Sequence, residues 1–153
     1  MRLKNLFDPT VVVEITDRVA RLRPDSERLW GKMSAAQMLA HCCVSLQWAL
    51  GEVVPDRVFV GLRMIGRVIK PMALKDDAAM RRNSPTAKSL VIADERDLTT
   101  EREKLNGLIE RFAAGGAAGC TEHPHSFFGK LTPEEWSVLM YKHLDHHLRQ
   151  FGV

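Results

Sequence analysis

Cysteine is scarce and poorly placed for cross-linking. Cys42, Cys43 and Cys120 are odd in number and two of them are adjacent, which leaves no disulfide framework and no CxxC pair for zinc or redox chemistry. A reducing compartment is expected. The excess of positive charge is small, with Lys+Arg 22 against Asp+Glu 19 and a net charge of +3, so net charge alone points to neither nucleic acid nor an anionic membrane. The N-terminal Met-Arg-Leu-Lys-Asn-Leu-Phe-Asp-Pro lacks the apolar stretch of about 7 to 15 residues that a signal peptide needs. The cytoplasm is the expected location. The longest uncharged run, Met33 to Gly51, has the length of a membrane span but carries Ser34, Gln37, His41, Ser45 and Gln47. A buried helix fits it better, and no membrane partner is expected. Familiar catalytic signatures are missing too. Leu144 follows His143, so the glutamate of an HExxH protease is absent, and there is no glycine-rich phosphate loop, GxSxG elbow or cysteine-based zinc finger.

What is present is a run of amphipathic segments. At 153 residues, 45% of them hydrophobic, the chain is expected to form one domain over 1–153 with a single core. Asp8-Pro9 reads as a cap and first-turn proline, with Val12, Ile15, Val19 and Leu22 following at helical spacing until Pro24. Ser34 and Gln37 have the form of a capping box opening the uncharged run. Pro55-Asp56 opens a third stretch, in which Val58, Leu62, Ile65, Val68 and Ile69 are apolar, Arg63, Arg67 and Lys70 share another face, and Pro71 is the stop. Residues 71–97 read as a long crossover. Thr100 with Glu103 suggests another capping box, ahead of Leu105, Leu108, Ile109 and Phe112, with Gly115-Gly116 as the terminator. Thr132-Pro133-Glu134-Glu135 opens the last helix, which runs nearly to Val153. No stretch alternates convincingly as a strand does, so the spacing predicts an all-α bundle with a crossover.

The chemistry is concentrated in histidine. At 100° per residue, Trp136, Leu139, Met140, His143, His147 and Phe151 share one arc of the last helix, which sets two imidazoles one turn apart in the middle of an apolar face. His146 falls at the edge of that arc and Asp145 points away. On the second helix Gln37, His41 and Ser45 form a narrow polar strip on a helix without charge. A lone inward histidine is ordinarily a core residue bonded to a backbone carbonyl. Three of them on two helices of one bundle can instead share a divalent metal and leave a fourth coordination position open. Cys42 and Cys43 read as small packing residues, His123-Pro-His125 as a loop over the bundle end, and His125 and Glu122 as the next ligands to consider if His41 is not one. The basic residues Arg63, Arg67 and Lys70 read as a solvated face; together with Arg81 and Arg82 they carry a third, weaker reading as a nucleic-acid-associated protein, and a nucleic acid partner is not expected.

These residues carry a resemblance. Trp30-Gly-Lys-Met-Ser-Ala-Ala-Gln-Met-Leu-Ala-His41, the loop from His123 to Trp136, and Tyr141-Lys-His143-Leu-Asp-His-His147-Leu-Arg-Gln150 are similar to the DinB/YfiT-like superfamily, within a small branch of unknown function. The resemblance covers essentially the whole chain. It implies an up-down-down-up four-helix bundle with a long crossover, often a homodimer, with a zinc, nickel or iron site on His41, His143 and His147. It further implies a metal-dependent hydrolase, or a transferase using a low-molecular-weight thiol, acting on a small-molecule substrate. The alternative reading is a non-catalytic metal-binding or interaction bundle of the same fold.

Overall fold

The computed structural model describes residues 3–153, and among these it contains five α-helices and no strand. Helix α1 spans Pro9–Ala20. Asp8 caps it by accepting the Thr10 amide, and Pro9 stands at the first helical position, where a missing N–H costs nothing. Helix α2, Ala35–Ala49, opens on a reciprocal capping box: Ser34 Oγ accepts the Gln37 amide at 3.1 Å while Gln37 Oε1 accepts the Ser34 amide at 2.9 Å. Helix α3 is Val60–Ala73, α4 is Leu98–Gly115 and α5 is Pro133–Gln150. Thr132 and Glu135 form the same reciprocal box at the start of α5.

Helices α1, α2, α4 and α5 share one core. Helix α2 packs along α4 and α5, and α1 packs on the same two helices. Because α2 carries no charged residue, it is buried along nearly its whole length, and its Leu39, Cys43, Leu46 and Trp48 meet Leu105, Leu108, Ile109, Phe112 and Trp136. Each such large side chain, fully buried, contributes roughly 1.5–3 kcal/mol.

One ion pair crosses this core. Asp145, on the side of α5 away from the histidines, accepts from Arg18 Nη1 of α1 at 2.8 Å and from Arg149 Nε at 2.8 Å, while Arg18 Nη2 donates to the Val153 carbonyl. Both carboxylate oxygens are therefore satisfied where water is largely excluded.

Helix α3 stands apart, and here the structure corrects the sequence expectations. It begins at Val60 rather than at Pro55-Asp56, because the Asp56 carboxylate accepts the Ser89 amide of the crossover and does not cap a helix. It also continues through Pro71 to Ala73, since proline in a last turn on an exposed face gives up only one terminal hydrogen bond. Its inner side is held by three contacts. Gly66 lies so close to the loop after α4 that a Cβ there would fall 1.9 Å from the Phe127 carbonyl oxygen. Lys70 Nζ bonds Glu135 and the Lys130 carbonyl. The buried Lys142 ammonium of α5 bonds the Ala73 and Asp76 carbonyls at 2.7 and 2.8 Å, capping the C-terminal end of α3. A second correction concerns α4, which is capped by Asp97 and not by Thr100. Asp97 Oδ1 accepts both the amide and the hydroxyl of Thr100, so that threonine already lies inside the helix. Within the crossover, only Lys88–Leu90 forms a short 3-10 turn.

Arg18→Ala should leave the buried Asp145 with the solvent-exposed Arg149 as its remaining cationic partner among the described residues. A loss of about 3 kcal/mol is expected, read as a lower urea midpoint with an unchanged slope. Glu110→Ala, exposed on α4, should leave the midpoint in place.

Candidate metal centre

The two capping boxes set the phase of the helices that carry the site. From Ser34, α2 delivers His41 after two turns, and from Thr132, α5 delivers His143 and His147 one turn apart on the face that meets α2. The three imidazoles form a nearly equilateral group, with ring centroids 4.8 Å (His41 to His143), 4.6 Å (His41 to His147) and 4.7 Å (His143 to His147) apart. One nitrogen of each lies within 4.8 Å of the other two, an arrangement able to hold a metal ion. His41 and His147 are buried, while His143 is only half-buried and marks the accessible side.

The outer partners decide which nitrogens face inward. His41 Nδ1 lies 2.8 Å from the Leu90 carbonyl. A carbonyl only accepts, so the proton is on Nδ1 and the lone pair is on Nε2. His147 Nδ1 lies 2.8 Å from Gln150 Oε1, and that amide is itself oriented, because its Nε2 donates to the Trp30 carbonyl at 2.8 Å. His147 therefore also holds its proton on Nδ1 and presents Nε2. The remaining inner contact joins His41 Nε2 and His143 Nε2 at 2.9 Å. Without an ion this is an N–H···N hydrogen bond. Two nitrogens each about 2.0–2.1 Å from one tetrahedral ion would stand roughly 3.3 Å apart, a small outward adjustment. The donor set thus fits a borderline divalent cation, with the outer hydrogen bonds that metal-binding histidines ordinarily carry.

Gly31 makes the Gln150 arm geometrically possible. It sits at φ +80, a conformation open to glycine, and a Cβ there would fall 2.4 Å from Gln150 Nε2.

Burial keeps these rings neutral. It lowers His41 below the usual 6.5, against a smaller opposite pull from the Leu90 carbonyl. It lowers His143 well below 6.5, helped by His147 and His41 beside it. It brings His147 down to about 3, with His41 adding to the effect and Gln150 opposing it. Neutral imidazole is the form that binds metal.

The other sequence candidates fall outside the group. His146 packs on Trp30, 5.5 Å between centroids, and Arg82 stacks over the same indole at 4.0 Å. His123 and Glu122 are exposed. His125 is committed to its loop: its Nδ1 accepts the Phe127 and Phe128 amides, its ring packs by Trp48 and Trp136, and burial brings it down to about 4. Cys42 Sγ faces Met38 Sδ and Cys43 Sγ faces the Glu101 carbonyl, so neither turns to the histidines. Burial holds their thiols protonated, raising Cys42 well above 9.0 and Cys43 to about 12, the latter helped by Glu101. Sequence reasoning missed the outer partners. Gln150 was within reach of it, since i+3 on a helix places it beside His147. The Leu90 and Trp30 carbonyls belong to irregular segments and leave no signal in residue type.

The family model described as Protein of unknown function (DUF1569) matches residues 8–152, and the chain belongs to that family. No curated protein and no solved structure matches it.

The neutral histidines fix the sign of a pH effect on the metal-free protein. Below about 6.5 the unfolded chain takes up protons that the folded chain refuses until far lower pH, so stability present above 6.5 is lost progressively on acidification. His147 alone should cost about 2 kcal/mol at pH 5. Thermal unfolding should show a midpoint that is flat above pH 7 and falls below 6.5, with a shallower fall in His147→Gln.

Proposed function

We propose that the protein is a divalent-metal enzyme acting on a small molecule, either as a hydrolase or as a transferase that uses a low-molecular-weight thiol. The observation that carries this reading is the inward convergence of the histidine nitrogens, with the Nδ1 atoms of His41 and His147 fixed from outside by Leu90 and Gln150. His41, His143 and His147 would hold zinc, nickel or iron. Such an ion supplies Lewis acidity with one coordination position left for an exogenous ligand.

The chain's own residues do the rest. Leu90 and Gln150 hold His41 and His147 in one tautomer, so that on binding only His143 has to move its inward proton and the rings shift slightly outward. His143, the least buried of the three, would be the ring nearest an incoming substrate. The thiols next to His41 in the chain, Cys42 and Cys43, are poor nucleophiles, being buried and protonated, so a transferase of this kind takes its thiolate from a free cofactor. The up-down-down-up arrangement and kinship with the DinB/YfiT-like superfamily belong to the same proposal. They are supported by the four helices around one core, by the long segment between α2 and α4, and by the convergence of His41 on α2 with His143 and His147 on α5.

His41→Ala, His143→Ala and His147→Ala should each abolish stoichiometric metal uptake, whereas His146→Ala and His123→Ala should retain it. Gln150→Leu should weaken affinity roughly tenfold or more while leaving the stoichiometry at one. In the cobalt-substituted protein, azide or a small thiol should shift the visible bands, and an activated ester or a thiol acceptor should turn over. A cobalt spectrum indifferent to every added ligand would identify a non-catalytic metal-binding bundle instead.

A further inference from the structure

Helix α3 presents an apolar face that no other of the described residues covers. At 100° per residue Val60, Met64, Val68 and Met72 climb one side of the helix, with Ile65 beside them and Phe59 at the N-terminal end. All six are exposed, Val68 at 80% and Met64 at 63%. No other helix lies alongside α3. The outward orientation is imposed: Gly66 against the Phe127 carbonyl, Lys70 on Glu135 and Lys142 on the Ala73 carbonyl together fix the opposite side inward. The apolar face cannot rotate into the core.

Between Asp56 at one end and Asp76-Asp77 at the other, the charge along that face is of one sign. Between residues 57 and 75 there are five basic side chains, Arg57, Arg63, Arg67, Lys70 and Lys75, and no acidic one. Lys70 is spent on Glu135. Arg57, Arg67 and Lys75 are exposed and in no ion pair among the described residues. A helix with a wide apolar side, cationic flanks and too little length and hydrophobicity to cross a bilayer has the character of one that lies in the membrane interface.

We propose that α3 docks the protein on an anionic phospholipid surface, its apolar side sunk to the level of the upper acyl chains while Arg57, Arg67 and Lys75 meet the headgroups. A second copy of the chain fits the face less well. A strip of 14 residues is about 21 Å long and offers a few hundred Å², against roughly 800 Å² per partner in a standard interface. Pairing two such helices would also bring their unpaired cations together. The low net charge and the lack of a membrane span, which led the sequence reading to expect no membrane partner, do not bear on a helix that lies flat.

The test is flotation with vesicles of phosphatidylcholine containing phosphatidylglycerol, compared with pure phosphatidylcholine. The protein should float with the anionic vesicles and bind the neutral ones roughly tenfold less. Val68→Glu, on the most exposed part of the face, should reduce binding at least about tenfold with helicity and metal stoichiometry unchanged. The independent variant Arg57→Glu with Arg67→Glu should weaken binding and remove most of its salt dependence, which keeps the proposal testable if Val68→Glu fails to fold. Absence of flotation with anionic vesicles would overturn it, as would equal binding by the folded variants. So would a dimer in sedimentation that Val68→Glu or the paired arginine variant converts to monomer without any flotation of the parent protein.

Discussion

Three imidazoles withdrawn from water between α2 and α5 set the constraint on which the centre depends. A buried neutral histidine has one donor and one acceptor to satisfy, and an unsatisfied one costs more than its packing returns. The protein meets the demand asymmetrically. Leu90 and Gln150 take the outward protons of His41 and His147, and on the inward side His41 Nε2 and His143 Nε2 meet at hydrogen-bond distance. An ion of double charge resolves the inward side more completely than one shared proton does, since it engages all three lone pairs at once. The crossover and the Trp30 turn can then be read as the scaffolding of that centre: one contributes the Leu90 carbonyl, and the other, through Gly31 and the Trp30 carbonyl, steadies Gln150.

The polar interior is divided between two sides of α5. The histidine side is neutral at physiological pH and turns to α2, whereas Asp145, two residues from both His143 and His147, turns to Arg18 of α1 and to Arg149. The carboxylate is thus neutralised locally and aims away from the imidazoles. A histidine group free of carboxylate would leave a divalent ion held there with its full charge, which favours Lewis acidity.

Capping and periodicity carried much of this in the sequence. Ser34 with Gln37 and Thr132 with Glu135 do what their spacing implies, and arithmetic at 100° per residue turned His41, His143 and His147 to a common face because α2 and α5 are regular from cap to ligand. The same rules misplaced the start of α3, where the Asp56 carboxylate serves the Ser89 amide, and the cap of α4, where Asp97 competes with Thr100 for the same role and lies nearer the first free amide. Pro71 was taken for a stop because a local rule does not register that its face of α3 is exposed. Contacts made by backbone carbonyls, such as Leu90, depend on where an irregular segment is laid down, and residue type does not encode that.

The most direct measurement of the central claim is X-ray absorption at the metal edge of stoichiometrically loaded zinc protein. Three histidines at the centre should give a first shell of nitrogen and oxygen at about 2.0–2.1 Å, no sulfur, and the outer-shell scattering of three imidazole rings. A spectrum with a sulfur shell at about 2.3 Å, or with the outer scattering of one ring or none, would contradict the account.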